Sequence, residues 1–302
     1  MTRAPRAALG AARAAALACA VSAVLGLAAG CGGPSRKLDE AATLEREKRP
    51  RDALALYQAA LGELGEGPLD GEAAVLRLSA IRRAADIAYL ETGDYPAAVA
   101  YYRRVVALAP GTPEARAARV TIAEIYRERF KDPQGAIAQW AAIAQEGGVD
   151  GAAGAQLQVA RLYLEAGDPG QARTEARVLR EKWPHAPEAA EAELVTVQAF
   201  AQERKLEDAA RAADAAAAAW PAQPASARAL ETVATLLAED GRLERAEAFY
   251  ARAIAGHPNP QAVETSLAAV RRRREAKGIA HPGDRAAALD HNLPKQKKEH
   301  RR

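Results

Sequence analysis

The sequence is short of cysteine, methionine and large rings. Its two thiols are Cys19 and Cys31, it has a single methionine, and aromatic residues make up only 5% of 302 positions. No cysteine follows Cys31, so the body of the chain can form neither a disulfide framework nor a thiolate metal site. Hydrophobic residues reach 49%, but alanine supplies much of that share. A core built this way gains its stability from many closely approaching helices. Charge of one sign is missing too: the net formal charge is +3, and no global field points to nucleic acid. The basic excess is local, in RRRREAK (271–277) and KQKKEHRR (295–302). β-branched residues are scarce and no alternating strand pattern is present. Ala, Glu, Arg and Leu lose little freedom in a helical turn. The expected class is all-α.

Catalytic chemistry is equally sparse. Of His185, His257, His281, His291 and His300, two fall in inter-repeat turns, read as solvated, and three in the C-terminal stretch. None has a partner at metal-ligand spacing. The glycines of GGVDGAAG (147–154) lack the Lys-Ser/Thr of a phosphate loop and read as a turn between helices. Neither metal nor cofactor is expected, and the chain is not read as an enzyme.

The N-terminus has the grammar of a secretory signal. Arg3, Arg6 and Arg13 precede an uncharged run from Ala14 to Gly30 that closes in small residues. Leu27-Ala28-Ala29-Gly30-Cys31 resembles the lipobox of bacterial lipoproteins. The resemblance implies removal of residues 1–30, Cys19 included, a diacylglyceryl thioether on Cys31, and an acyl group on its new amine. Residues 31–35 are then a lipidated tether. An uncleaved transmembrane helix is the alternative, although 17 alanine-rich residues stand at the lower edge of what spans a bilayer. Either way the remainder is exported, which makes nucleic acid a poor partner. Gram-negative lipoproteins kept at the inner membrane carry Asp after the lipidated Cys. Gly32 stands there instead, so the resemblance implies the periplasmic face of the outer membrane, or the cell membrane in a Gram-positive host.

From residue 36 onward the sequence repeats. Tyr89, Tyr126, Tyr163, Phe200 and Leu237 lie 37 residues apart, as do Pro110, Gly147, Pro184, Pro221 and Pro258. Ala98, Ala136, Ala172, Ala209 and Ala246 keep the step to within one residue, and Pro113, Pro187 and Pro224 share the lattice. Gly93-Asp94, Gly167-Asp168 and Asp240-Gly241 sit where one helix must stop and turn. The second proline series opens each new unit, where a missing N–H costs nothing. The alanines mark helix crossings, and the Tyr/Phe/Leu series fills the gap between neighbouring units. An earlier unit fits through Leu44, Ala53 and Tyr57 if an insertion, GELGEGPLDGE (62–72), is allowed.

GDYPAAVAYYRRVVALAP (93–110) and GRLERAEAFYARAIAGHP (241–258) resemble the tetratricopeptide repeat. They share the turn Gly, the crossing Ala98 and Ala246, the aromatic four residues on (Tyr102, Tyr250) and the closing Pro. Two departures are the 37-residue step and alanine at Ala176 and Ala213 in place of that aromatic. The longer step resembles the repeat lipoprotein of the outer-membrane β-barrel assembly machine and the division coordinators of Tol–Pal. The expected fold is a right-handed α-solenoid of about six repeats over 36–258. A capping helix follows at 259–278, then a basic, unstructured tail at 279–302 that solubilises the chain or lies on anionic headgroups.

Such a fold offers a concave groove. Counting two positions before each packed aromatic places Ile87, Glu124, Arg161, Gln198 and Thr235 on its wall. Counting two after adds Glu91, Glu128, Glu165, Gln202 and Glu239. The acids lie where the helix dipole disfavours them, which reads as a ladder for a partner's cations. The alternative is a solvated helix end neutralised by Arg82, Arg127 or Arg161. The groove lacks the Lys/Asn set with which tetratricopeptide co-chaperones clamp a C-terminal carboxylate. The resemblance implies a lipid-anchored scaffold binding envelope proteins or extended peptides during envelope assembly. Polysaccharide export or cell-wall and division coordination is the second reading.

Overall fold

The computed structural model describes residues 33–146 and 151–278. The targeting segment, Cys31, the Gly147-Gly148 turn and the basic tail lie outside the described residues. The regular structure among the described residues is all helical, and the chain divides into two compact units after Asp132.

The first unit contains α1 (Pro34–Arg46), α2 (Pro50–Leu64), α3 (Gly71–Asp86), α4 (Tyr95–Leu108) and α5 (Pro113–Ile125). α3 and α5 each run on into a wider π-helical turn, Ile87–Thr92 and Tyr126–Phe130. The second unit contains α6 (Pro133–Gln145), α7 (Ala152–Glu165), α8 (Pro169–Lys182), α9 (Glu188–Gln202) and α10 (Leu206–Ala219). It continues with α11 (Pro224–Glu239), α12 (Leu243–Ala253, closing in a 3-10 turn) and α13 (Pro260–Ala276). Within it, α9 packs beside α7 and α11 as well as against α8 and α10. In this unit the first helices α7, α9 and α11 thus form one layer, with the second helices α8 and α10 against them.

The residues of the repeat explain this order. Helix starts carry proline in the first turn (Pro34, Pro50, Pro113, Pro169, Pro224, Pro260), where its fixed φ suits a helix and no donor is lost. Asp94 and Asp168 then cap their helices, each Oδ1 accepting from the backbone N–H three residues on, at 3.0 and 2.9 Å. Every hairpin turn passes through a left-handed residue: Lys48, Gly93, Lys131, Gly167, Arg204 and Gly241, with φ between 53° and 80°. The position is therefore dictated by the turn, and glycine fills it in only half the repeats. The aromatic series takes part in the same turn. The carbonyls of Leu44, Tyr163, Phe200 and Leu237 each accept the N–H five residues on, at 2.9 Å, which closes the helix end.

Ala53, Ala98, Ala136, Ala172, Ala209 and Ala246 are all fully buried, as helix crossings require. Leu237 is fully buried, while Tyr89, Tyr126, Tyr163 and Phe200 pack against the cores with an edge exposed. Two features differ from expectation, and the terminal helix adds a third. The connection between α2 and α3 is only residues 65–70, because Gly62 to Leu64 stay helical and Gly71 opens α3. The terminal helix α13 ends at a left-handed Gly278, 37 residues after Gly241. It therefore has the stop of a seventh first helix. Ile87, placed on the groove wall by counting, is only 3% exposed and belongs to the core of the first unit. It is the one apolar residue at that repeat position, so burial favours it. It also opens a π-helical turn, across which an α-helical count loses register.

Candidate partner-binding cleft

In the first unit, the C-terminal ends of α1 and α3 stand beside each other and leave a cleft of about 260 Å³. Its walls include Glu45 from the end of α1, Lys48 from the turn that follows, Pro50 from α2, and Arg83 and Asp86 from α3. Ile87, Leu90 and Glu91 complete it from the π-helical turn. Two buried tyrosines of the second helices fix the carboxylates from behind. Tyr57 donates to Glu45 Oε1 at 2.5 Å, and Tyr102 donates to Asp86 Oδ1 at 2.8 Å. Burial first, and then these carboxylate acceptors, hold both phenols well above their ordinary range. Arg83 lies 3.7 Å from Glu45. Lys48 and Glu91 make no side-chain hydrogen bond or ion pair among the described residues, and Leu90 is 70% exposed. The cleft thus presents a bare leucine together with one unpaired carboxylate and one unpaired ammonium.

Two of the expected groove residues, Ile87 and Glu91, meet in this cleft, Ile87 by its edge. Glu124 and Glu128, both exposed, act on the hydroxyl of Tyr89, which is raised by burial and then by these two carboxylates. Phe130, 40% exposed, stacks edge-on to Tyr126 in the same unit. In the second unit the expected residues are engaged by neighbours. Arg161 pairs with Glu191 at 2.8 Å, and Thr235 meets the Tyr250 hydroxyl at 2.9 Å. Gln202 donates to the Leu164 carbonyl at 3.2 Å. Glu239 is held by Arg204 at 2.7 Å, and Glu165 is exposed with a partner of its own. Gln198 is half-buried. Arg161, read as able to neutralise the acids, therefore serves Glu191 instead, and a different arginine takes Glu239.

Other surface carboxylates tie one repeat to the next. Glu207 receives Arg242 and Arg245, both at 2.7 Å, and Asp214 receives Arg252 at 2.7 Å. Hydrogen bonding from Arg245 foremost holds the Glu207 carboxyl down at about 2. Exposed pairs of this kind add little stability singly; here they join α10 to α12 of the next repeat. The buried Glu193 carboxyl is raised by burial, which outweighs its partner Arg180. His257 also departs from expectation: its ring is nearly buried, with Nε2 2.9 Å from Glu231 and Nδ1 accepting from the Asn259 N–H at 3.0 Å. Among the described residues, no group of three His, Cys, Asp or Glu could hold a metal ion. No helix among them is long and apolar enough to cross a membrane.

Reasoning from sequence missed Glu45, Lys48, Arg83, Asp86 and Leu90. Leu90 lies in the π-helical turn, whereas Arg83 and Asp86 lie three residues apart on one face of α3, a signal that was available. That α1 brings Glu45 to the same place was not.

Solved structures similar to this chain include a tetratricopeptide repeat protein from Parabacteroides merdae (13% identity, 87% of this chain and 94% of that one, TM-score 0.45). PilW, a type IV pilus biogenesis factor, is 17% identical over 78% of this chain and 98% of its own (TM-score 0.44). The TPR2AB domain of yeast Sti1, in complex with pHSP90, is 14% identical over 79% and 98% (TM-score 0.32). No curated protein matches the sequence. The tetratricopeptide repeat model matches residues 87–153, 157–224 and 194–262, together more than half of the chain. With its stacked helical pairs, buried crossing alanines and left-handed hairpin turns, the chain belongs to the tetratricopeptide repeat family.

Proposed function

We propose that this protein is an exported, lipid-anchored scaffold of the bacterial envelope that holds a partner through the cleft between α1 and α3. Tetratricopeptide repeats imply a protein–protein interaction scaffold; the anchor, the envelope and the partner chemistry are our reading. The cleft carries that reading. Leu90 is bare on a helical wall, and an exposed side chain of that size in a cleft with two unpaired charges suits an anchor residue of a partner. Glu91 and the carboxylates behind it favour a cation beside that anchor. The expected ligand is an extended protein segment presenting one large apolar side chain next to Lys or Arg. The lipobox at Leu27–Cys31 supports anchoring through Cys31, with no other cofactor, and Gly32 supports the outer membrane over the inner. Assembly of outer-membrane proteins is the process that the repeat resemblance favours; polysaccharide export or division would use the same surface for different partners.

A photo-reactive residue at Leu90, followed by mass spectrometry of envelope adducts, tests the cleft. We expect one dominant protein adduct, lost on Glu91→Lys. Adduct formation indifferent to Glu91→Lys, or none above that of an exposed site elsewhere, rejects the cleft as the binding site.

A further inference from the structure

The opposite end of the first unit carries a second exposed apolar surface. Residues 65–70 fold over the start of α3 and the end of α4 to leave a hollow of about 370 Å³, lined by Pro68, Leu69, Val75, Leu78 and Leu108. Val75 is 67% exposed and Leu108 43%. Such side chains normally gain by leaving water, and here they are held in it together. The loop beneath them is built, because the buried Arg77 guanidinium donates to the carbonyls of Gly65 (3.2 Å) and Gly67 (2.6 Å).

The position of this surface in the hairpin stack points to its occupant. Lys37, in the first turn of α1, pairs with Glu63 in the last turn of α2. The beginning of α1 therefore sits at the end of the unit where the 65–70 loop starts. Leu108 returns to that end because α4 runs back along α3. Only Gly32 separates Cys31 from the first described residue, a reach of roughly 7 Å at about 3.4 Å per residue. The cleft of α1 and α3 lies at the other end, about 20 Å along the 13-residue α1 at 1.5 Å rise per residue.

We infer that the Val75–Leu108 surface rests in the headgroup region of the membrane that Cys31 enters, so that the anchored unit stands with its partner cleft facing away from the lipid. This rests on the lipid-anchor reading of Cys31. Three or four apolar side chains bind a bilayer feebly when free. Tethered beside it, they see a lipid concentration that makes docking effective. Arg36 and Arg104, which make no side-chain ion pair among the described residues, flank this end and complement anionic headgroups, and the stem of Arg104 lines the adjoining hollow beside Leu108. Glu66, on the same rim, opposes them and limits the depth of insertion.

The test places p-benzoylphenylalanine at Val75, Leu108 or Leu90 in the full chain and irradiates native envelopes. Phospholipid adducts at Val75 and Leu108 should exceed those at Leu90 by about an order of magnitude or more, because the 13-residue α1 sets Leu90 about 20 Å farther from the lipid. Protein-sized adducts at Val75, or lipid adducts no more frequent than at Leu90, overturn the inference. The second would follow from a surface that merely faces water, the first from a docked protein. Intact mass of the native chain reports the Cys31 lipid separately. The mature chain, coupled through Cys31 to a maleimide phospholipid in phosphatidylethanolamine–phosphatidylglycerol vesicles, repeats the irradiation without that lipid. An unmodified native Cys31 removes the anchor. Equal lipid adducts at Val75 and Leu90 in the vesicles remove the docking surface whatever the state of Cys31.

Discussion

Ala209 allows the central packing claim to be tested by two substitutions of opposite sense. It is fully buried in α10, among Ala213, Val233 and Leu237 of the same core. If α10 and its neighbours approach so closely because this side chain is small, Ala209→Leu must push them apart, at about 1–3 kcal/mol. Ala209→Gly fails in the other direction. It removes a buried methyl, worth about 0.8 kcal/mol, and adds about 1 kcal/mol of glycine cost within a helix. The sum is roughly 2 kcal/mol. Ala215, six residues on in the same helix, is exposed, and Ala215→Leu should shift stability by less than about 0.5 kcal/mol. Urea unfolding followed by helical circular dichroism reads all three, with the slope against urea checked for loss of cooperativity, since repeat arrays can unfold piecewise. Equal effects of leucine at 209 and 215 would refute the crossing argument.

Tyr102→Phe should cost about 1 kcal/mol, the usual net worth of one hydrogen bond, because Asp86 opens onto the cleft and water can replace the phenol; unfolding midpoints check it. Gly241 has φ 80°, so Gly241→Ala should lose about 1–2 kcal/mol, whereas Lys131→Gly, at another left-handed hairpin turn, should not destabilise. A Tm for Lys131→Gly below the parent's would contradict the turn reading. The Glu207 carboxyl is held at about 2 against an ordinary 4.5. A depressed carboxyl favours the fold while ionised, so its contribution is complete above about pH 4.5 and fades as pH falls toward 2. A carbon-13 titration of Glu207 should show that low midpoint, moving back up in Arg242→Ala/Arg245→Ala. A parent midpoint near 4 would dismiss the bidentate pair.

Much of the fold could be read from particular residues. Ala98, Ala172 and Ala246 marked crossings, Gly93, Gly167 and Gly241 marked turns, and Pro113 and Pro224 marked helix starts. Each acts locally: a missing Cβ, a free φ or an absent N–H limits the backbone wherever it occurs. The same logic hid the turns at Lys48, Lys131 and Arg204, where the chain imposes a left-handed residue without glycine to announce it. The candidate site was read less well. Glu91 was placed by counting along one helix, but Ile87 was placed on the wall and proved to be core.

By itself, then, the sequence determined that this chain forms paired helices at a fixed step, because steric and hydrogen-bond constraints act within a few residues of their cause. Only the tertiary structure decided which charges remain free. Glu239 and Glu91 occupy the same repeat position, yet Arg204, 35 residues away, reaches the first, while no side chain among the described residues reaches the second. Pairing depends on distances across helices, and those distances exist only once the repeats have stacked.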